Sequence, residues 1–127
     1  MRTQYHFRRS PNGLCAWNVH RLIEQSRDLV PERVPLSAIR ELDESFWANE
    51  RVQQLTCREI AGHTRLILDC DLAWPIILSS DGRVMDGMHR VCKALLEGRA
   101  DIEAVRFVSD PEPDYVGMLP DDLPYPD

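Results

Sequence analysis

The sequence has no hydrophobic run long enough to cross a lipid bilayer, since the longest one, Leu72–Leu78, has only seven residues. No apolar segment of the kind that directs secretion lies near the N-terminus. The four cysteines show neither Cys-x-x-Cys spacing nor a Cys/His cluster typical of zinc sites. We therefore expect a cytoplasmic protein with free thiols, no membrane contact and no metal site.

Lysine is also nearly absent, because Lys93 is the only one among 15 basic residues. Residues 110–127 contain no base at all and six acids. Of the 21 acids, 15 therefore remain in residues 1–109 against 15 bases, so this part is close to neutral. DNA binding depends on a basic surface that neutralises phosphates, so we expect no sequence-specific DNA binding.

The two ends of the sequence are predicted to lack regular structure. Residues 1–18 are predicted as an N-terminal arm that is irregular over Met1–Gly13, and residues 19–109 as one domain. Residues 110–127 hold five of the nine prolines and are predicted as an acidic, proline-rich tail without a regular element.

Between the ends, hydrophobic periodicity predicts alternating helices and strands, hence a small α+β fold. The apolar positions between Val19 and Leu29 predict a first helix that stops before Pro31. Thr56 and Glu59 form a capping box, which predicts a helix over Cys57–Asp69 with Ile60, Ile67 and Cys70 facing inward. Strands are predicted at Glu32–Ile39, where Pro35 indicates a sheet edge, and at Pro75–Ser79, Arg83–Met85 and Ile102–Val108.

The segment Asp86-Gly87-Met88-His89-Arg90 is predicted to open a helix directly after a strand, with Gly98 marking the helix end. The N-terminus of a helix offers unpaired backbone N–H groups and a positive dipole, which together bind phosphate. Gly87 lets a ligand approach the backbone, and His89 and Arg90 add side-chain donors. The alternative is that Asp86 is only a capping residue and Arg90 only a solvated charge.

This D-G-M-H-R segment, preceded by P-I-I-L-S-S-D-G-R-V-M and followed by V-C-K-A-L-L-E-G-R-A-D-I-E-A-V-R-F, resembles the ParB/sulfiredoxin superfamily. The resemblance covers residues 33–108. It implies an α+β fold with a small mixed sheet and flanking helices. It also implies that Asp86, Gly87, Met88, His89 and Arg90 bind a nucleotide, ATP or CTP, together with Mg²⁺.

Two activities of the superfamily are not expected here. Sulfiredoxin-like proteins carry a reactive cysteine where this chain has Met88, and a thioether is no thiolate nucleophile. Partition-type ParB proteins continue into a helix-turn-helix, whereas the resembling region is followed here by the acidic tail.

Three functions stay open. The first is a stand-alone nucleotide-binding domain. The second is a kinase for a small metabolite, because free-serine kinases of this superfamily carry D-G-H-H-R. That resemblance implies catalytic roles for Asp86 and His89. It also implies that a carboxylate of the Glu41–Glu44 stretch, either Glu41 or Glu44, acts as the general base. The third is a non-catalytic regulatory or interaction protein. Each of the three functions is compatible with a homodimer.

The three tryptophans are predicted to anchor the core or its rim, with base stacking as the alternative for one of them. His20 is predicted to lie on the polar surface of the first helix and His63 to be structural or exposed, and the sequence indicates no partner for His6. His89 is the histidine whose position indicates a role, either as a phosphate donor or as a general acid.

Overall fold

The computed structural model of the chain describes residues 3–48 and 55–125. Three helices and seven strands occur in these two segments, with short 3₁₀ turns at Leu36–Ala38, Arg40–Asp43 and Pro120–Asp122. In chain order the elements are β1 (Tyr5–Ser10), β2 (Gly13–Asn18), α1 (Val19–Gln25), β3 (Glu32–Pro35), α2 (Cys57–Asp69), β4 (Ile76–Leu78), β5 (Val84–Asp86), α3 (Met88–Leu96), β6 (Asp101–Arg106) and β7 (Tyr115–Val116).

The central element is a four-stranded mixed sheet in the order β3-β6-β4-β5. Strands β4 and β6 are parallel, and the other two pairs are antiparallel. Strand β3, which contains Pro35, lies at an edge of the sheet, as its proline predicts. The expected α+β class with a mixed sheet is confirmed.

Alternating side chains of this sheet pack on its two faces. Ile76 and Leu78 of β4 belong to a buried cluster with Met88 and Val91 of α3, whereas Ile77 between them packs with residues of β2 and α1. This follows from the two-residue period of a strand. The domain core therefore has three layers, with α3 on one face and β2 with α1 on the other.

The N-terminal segment is a β-hairpin, so the prediction of an irregular Met1–Gly13 is wrong for its described residues. Strands β1 and β2 pair in register from Tyr5 with Asn18 to Ser10 with Gly13. Gly13 adopts φ +113°, a conformation that suits glycine at the end of a tight turn. The turn residues therefore connect two strands rather than end an irregular arm.

The tail is likewise not free of regular structure. Strand β7 pairs with β2 and extends the hairpin to a second, three-stranded sheet. Asp114 accepts a hydrogen bond from the Asn18 backbone N–H at 2.8 Å, and Asp110 accepts one from Ser80 N–H at 2.7 Å. The acids of the tail thus hold its backbone against the rest of the molecule.

Helix α2 begins as its capping box predicts, but it packs only lightly. Thr56 Oγ1 accepts a hydrogen bond from Glu59 N–H at 3.2 Å. No side chain of α2 is fully buried, and Ile60, expected to face inward, is 51% exposed. Lys93 of α3 donates to the carbonyls of Leu68 at 3.0 Å and Cys70 at 2.6 Å, which ties the end of α2 to α3.

Helix α1 ends at Gln25, so Leu29 lies beyond the helix that was predicted to include it. Within the described segments, no helix has the length and apolar composition that spanning a membrane requires.

Candidate functional site

The site is organised by a sharp corner between β5 and α3. Asp86 is the last residue of β5 and α3 begins at Met88, so the expectation that Asp86 begins the helix is wrong by two residues. Gly87 caps the helix with φ +107°. A Cβ at this position would lie 2.7 Å from Ile76 Cγ2 and 2.8 Å from Arg90 Nη2, so both backbone conformation and space require glycine.

No side chain caps the N-terminus of α3. The first backbone N–H groups of any helix lack partners within the helix, and they concentrate the positive end of its dipole. A small cavity of about 260 Å³ lies at this end of α3, with lining residues Leu66, Asp69, Cys70, Asp86, Gly87, His89 and Arg90. Gly87 itself adds no side chain to this cavity.

Arg90 is held inside the fold. Its Nη1 donates to the carbonyl oxygens of Trp74 and Pro75, both at 2.8 Å. Its Nη2 lies 2.9 Å from Asp86 Oδ2, so Asp86 pairs with Arg90 instead of capping α3. Three of the five N–H groups of the guanidinium are thereby engaged, and they fix the start of β4 against the start of α3.

His89 forms a pair with His63 of α2. The distance between His63 Nδ1 and His89 Nε2 is 2.8 Å, so one ring donates a proton and the other accepts it. The Trp47 ring stacks on both, with centroid distances of 4.2 Å to His63 and 4.9 Å to His89. The sequence indicates neither partner, because 26 residues separate the two histidines and no local pattern marks the contact.

Both histidines are held in the neutral form. Burial lowers the pKa of His89 to about 4, with further contributions from His63 and the positive charge of Arg90. Burial also lowers the pKa of His63, against a small opposing effect of Glu59. At neutral pH the pair therefore offers one shared proton and no net charge.

Met88, the third motif residue, is 5% exposed and its side chain belongs to the core. Only its backbone can face a ligand at the helix start. Burial raises the pKa of Cys92 in the same helix, so that this sulfur stays a protonated thiol.

The candidate carboxylates Glu41 and Glu44 lie at the opposite end of β5 from Gly87. Glu41 is 2% exposed and accepts a hydrogen bond from the N–H of Val84, the first residue of β5, at 2.6 Å. Glu44 pairs with both terminal nitrogens of Arg83, at 2.9 and 2.5 Å. Neither residue lines the cavity at His89, so the structure brings together Asp86, Gly87, His89 and Arg90 but not the two glutamates.

A larger cleft of about 780 Å³ adjoins the small cavity, since Cys70, Asp86 and Arg90 line both. Its walls are largely apolar, and Trp74, 69% exposed, is one of its lining residues. Volume and lining are typical of sites that take a small organic ligand. Within the described segments, no group of three or more His, Cys, Asp or Glu side chains is arranged to hold a metal ion.

Comparison of the chain with known protein families, with curated proteins and with solved structures finds no match.

Proposed function

We propose that this chain binds a nucleotide, with phosphate groups at the N-terminus of α3 and the nucleoside in the adjoining apolar cleft. The observation that carries the proposal is the open start of α3. It is capped by Gly87 without a side-chain hydrogen bond and lies in a cavity continuous with the larger cleft. Backbone N–H groups at a helix start are general phosphate ligands.

The cleft supports a nucleoside as the second part of the ligand. Trp74 at its rim is the most exposed of the three tryptophans, whereas Trp17 is buried and Trp47 is stacked on the two histidines. An exposed indole beside an apolar cleft can stack on a base, and such stacking contributes about 1–3 kcal/mol per base.

Two carboxylates favour a metal-bound nucleotide over free phosphate. Asp69 and Asp86 both line the small cavity, where they would repel an uncompensated phosphate. Mg²⁺ is commonly held by one or two carboxylates together with substrate phosphates. ATP or CTP with Mg²⁺ is therefore the ligand class that we propose.

The first test is a panel of melting curves with ATP, ADP, CTP, GTP and NAD, each with and without Mg²⁺. A ligand that binds the native state raises its stability, by about 2.7 kcal/mol at a concentration of 100 times Kd. We expect at least one nucleotide with Mg²⁺ to raise Tm, and the matching nucleoside to raise it less. No shift with any nucleotide at millimolar concentration would refute the proposal.

A pair of variants at one position isolates the backbone contribution. His89→Ala removes the imidazole but keeps the backbone N–H, whereas His89→Pro removes both, and proline is tolerated in the first turn of a helix. We expect weaker nucleotide binding by His89→Pro than by His89→Ala. Equal affinity of the two folded variants would show that this N–H does not contact phosphate.

A phosphotransferase for a small hydroxylated metabolite is the second candidate. The observation that favours it is the His63–His89 pair, because a neutral imidazole beside a phosphate cavity can accept a hydroxyl proton. Asp86 is the less suitable proton acceptor, because its carboxylate is already paired with Arg90. Incubation with ATP, Mg²⁺ and pools of amino acids or sugars should then consume ATP, and His63→Ala should slow this consumption. Nucleotide binding without turnover would indicate a binding protein of regulatory function.

A further inference from the structure

Helix α2 packs against α3 with one side and leaves a different side exposed. The packed side carries half-buried residues at intervals of one turn, Glu59, His63 and Ile67, and His63 contacts His89 of α3. A second line of residues at helical spacing runs along the exposed side. This line, the outer stripe of α2, consists of Cys57, Ile60, Ala61, Thr64 and Leu68.

The outer stripe offers apolar contacts over about three helical turns. Ile60 and Leu68 are 51% and 60% exposed. The Thr64 hydroxyl donates to the Ile60 carbonyl oxygen at 2.8 Å, so its polar atom is already satisfied within the helix and its methyl group is available for contact. Isolated apolar side chains are common on protein surfaces, whereas a continuous line of them marks a contact surface.

Two opposite charges flank the outer stripe near its ends. Arg58 follows Cys57 at the start of α2, and Asp69 follows Leu68 at its end. Because about three turns separate Arg58 from Asp69, both side chains project on the same flank of the helix. Neither forms an ion pair with another residue of the described segments. A partner that carries the opposite order of charges would satisfy both.

A second copy of α2, turned end for end, has this complementary pattern. In an antiparallel pair about a two-fold axis, Ala61 and Thr64 lie near the axis. Cys57 of each copy then lies opposite Leu68 of the other. The outer stripe is therefore covered along its whole length.

The same register pairs the charges. Arg58 of each copy lies beside Asp69 of the other, and this carboxylate also follows Arg65 of its own helix by one turn. A parallel pair would instead place Arg58 beside Arg58 and Asp69 beside Asp69, and like charges across an interface oppose association. The charges therefore favour the antiparallel arrangement.

We propose that α2 forms the interface of a homodimer in which the outer stripes of two copies pack antiparallel. The 13-residue helix is about 20 Å long, so it buries less than the roughly 800 Å² per partner of a standard interface. The dimer is accordingly weak and forms at micromolar or higher protein concentration. It does not depend on nucleotide binding at α3, and either proposal can be wrong without the other.

Sedimentation velocity of the full chain, from micromolar to millimolar concentration, should show a monomer–dimer equilibrium. Leu68→Glu should leave only monomer, because it places a charge in the apolar contact. Since Leu68 is exposed, the far-UV circular dichroism of this variant should stay that of the wild type. A wild type that is monomeric throughout the range would overturn the proposal.

A charge exchange tests the register of the two helices. Arg58→Asp and Asp69→Arg should each weaken the dimer roughly tenfold, because each brings like charges together. Both changes suit the helix dipole, so a weaker dimer cannot be attributed to a weaker helix. The double variant should regain most of the wild-type association.

Arg27→Asp is the matched control, because it makes the same change in net charge as Arg58→Asp but lies in the loop after α1. It should dimerise as the wild type does. An equal loss in Arg27→Asp, or no recovery in the double variant, would overturn the proposed interface.

Cysteine crosslinking tests the direction of the two helices. Leu68→Cys places a thiol opposite the native Cys57 of the second copy, so mild oxidation should give a covalent dimer. In the wild type, the two Cys57 residues are about 16 Å apart along the helices and should not crosslink. Crosslinking of the wild type through Cys57, or none in Leu68→Cys, would overturn the proposal.

Discussion

The two ends of the short strand β5 differ chemically. At the Gly87 end the side chains satisfy one another, because Arg90 is held by two carbonyls and Asp86, and His89 by His63. At the Val84 end a buried carboxylate, Glu41, retains an oxygen without a partner. At the Gly87 end a ligand would meet backbone N–H groups and the carboxylates of Asp69 and Asp86, whereas at the Val84 end the buried Glu41 holds the start of β5.

This difference indicates which changes each end should tolerate. A backbone site depends on the conformation that positions its N–H groups, so the residue that fixes that conformation matters most. A side-chain site depends on individual polar atoms and on the buried contacts that hold them. Substitutions at the two ends should therefore differ in their effects on stability and on binding.

Glu41→Ala should lower the free energy of unfolding most. The change leaves the Val84 N–H without its acceptor and removes one partner of Arg83, and breaking a buried ion pair costs about 4 kcal/mol. Urea unfolding of wild type and variant gives the difference. Glu44→Ala removes a carboxylate from the same arginine at an exposed position and should have a much smaller effect. Similar losses in the two variants would contradict the assignment of Glu41 as the buried anchor.

Gly87→Ala should destabilise the Gly87 end by about 3 kcal/mol, from left-handed backbone strain and overpacking against Ile76. It should also abolish nucleotide binding in whatever fraction remains folded. Gly98→Ala is the matched control, since Gly98 has φ +73° but open space around its Cβ position. Gly98→Ala should lower the free energy of unfolding by about 1 kcal/mol, from backbone strain alone, and leave nucleotide binding intact. Equal losses of stability in the two variants would show that Ile76 moves aside without an energetic penalty.

Acid should destabilise both ends, because each holds a histidine whose pKa is lowered to about 4, His6 at one end and His89 at the other. In the unfolded chain these two histidines bind protons near the ordinary histidine pKa of about 6.5. Below that pH the unfolded state therefore holds more protons than the native state. Stability is therefore fully present above about pH 6.5 and is lost as pH falls toward about 4.

His6→Phe should remove the part of this acid dependence that belongs to the more buried histidine, roughly 3 kcal/mol for a pKa lowered from 6.5 to about 4. Urea unfolding of wild type and variant across this pH range measures the difference between the two slopes. An unchanged slope in His6→Phe would mean that His6 does not titrate as proposed.

Trp74→Ala should change stability least, within about 0.5 kcal/mol, because the indole is exposed. It should nevertheless weaken nucleotide binding by about tenfold through lost stacking. The nucleotide should quench tryptophan fluorescence in the wild type but not in Trp74→Ala. Trp17→Phe, at a buried position, should keep the quenching. Undiminished affinity in Trp74→Ala would place the base elsewhere.

Local signals predicted the elements around the site well. The Thr56–Glu59 capping box, the edge proline Pro35 and the glycine corner before α3 each act within a few residues, so the sequence displays them. The prediction that α3 begins at Asp86 is wrong because aspartate is, by residue type, as good a helix cap as Gly87. Its carboxylate instead pairs with Arg90, one turn later in the helix.

Contacts between distant residues could not be predicted. The tail strand β7 pairs with β2, about a hundred residues earlier, and nothing local marks its two residues as a strand. From the sequence, Glu41 is indistinguishable from a surface acid, because its hydrogen bond to the Val84 N–H forms only in the folded chain. The His63–His89 pair and its Trp47 stack likewise exist only because α2 lies against α3.

The proposed nucleotide site depends on backbone N–H groups at the start of α3 that donate to phosphate. The most direct test follows the amide resonances of Met88, His89 and Arg90 during titration with Mg²⁺–ATP and, separately, Mg²⁺–CTP. With at least one of them, these three amides should show the largest saturable downfield shifts, as expected for N–H groups that donate to phosphate oxygens. If neither nucleotide shifts them saturably, or if the largest shifts fall in β1 or at Glu41–Glu44, the account of this site is wrong.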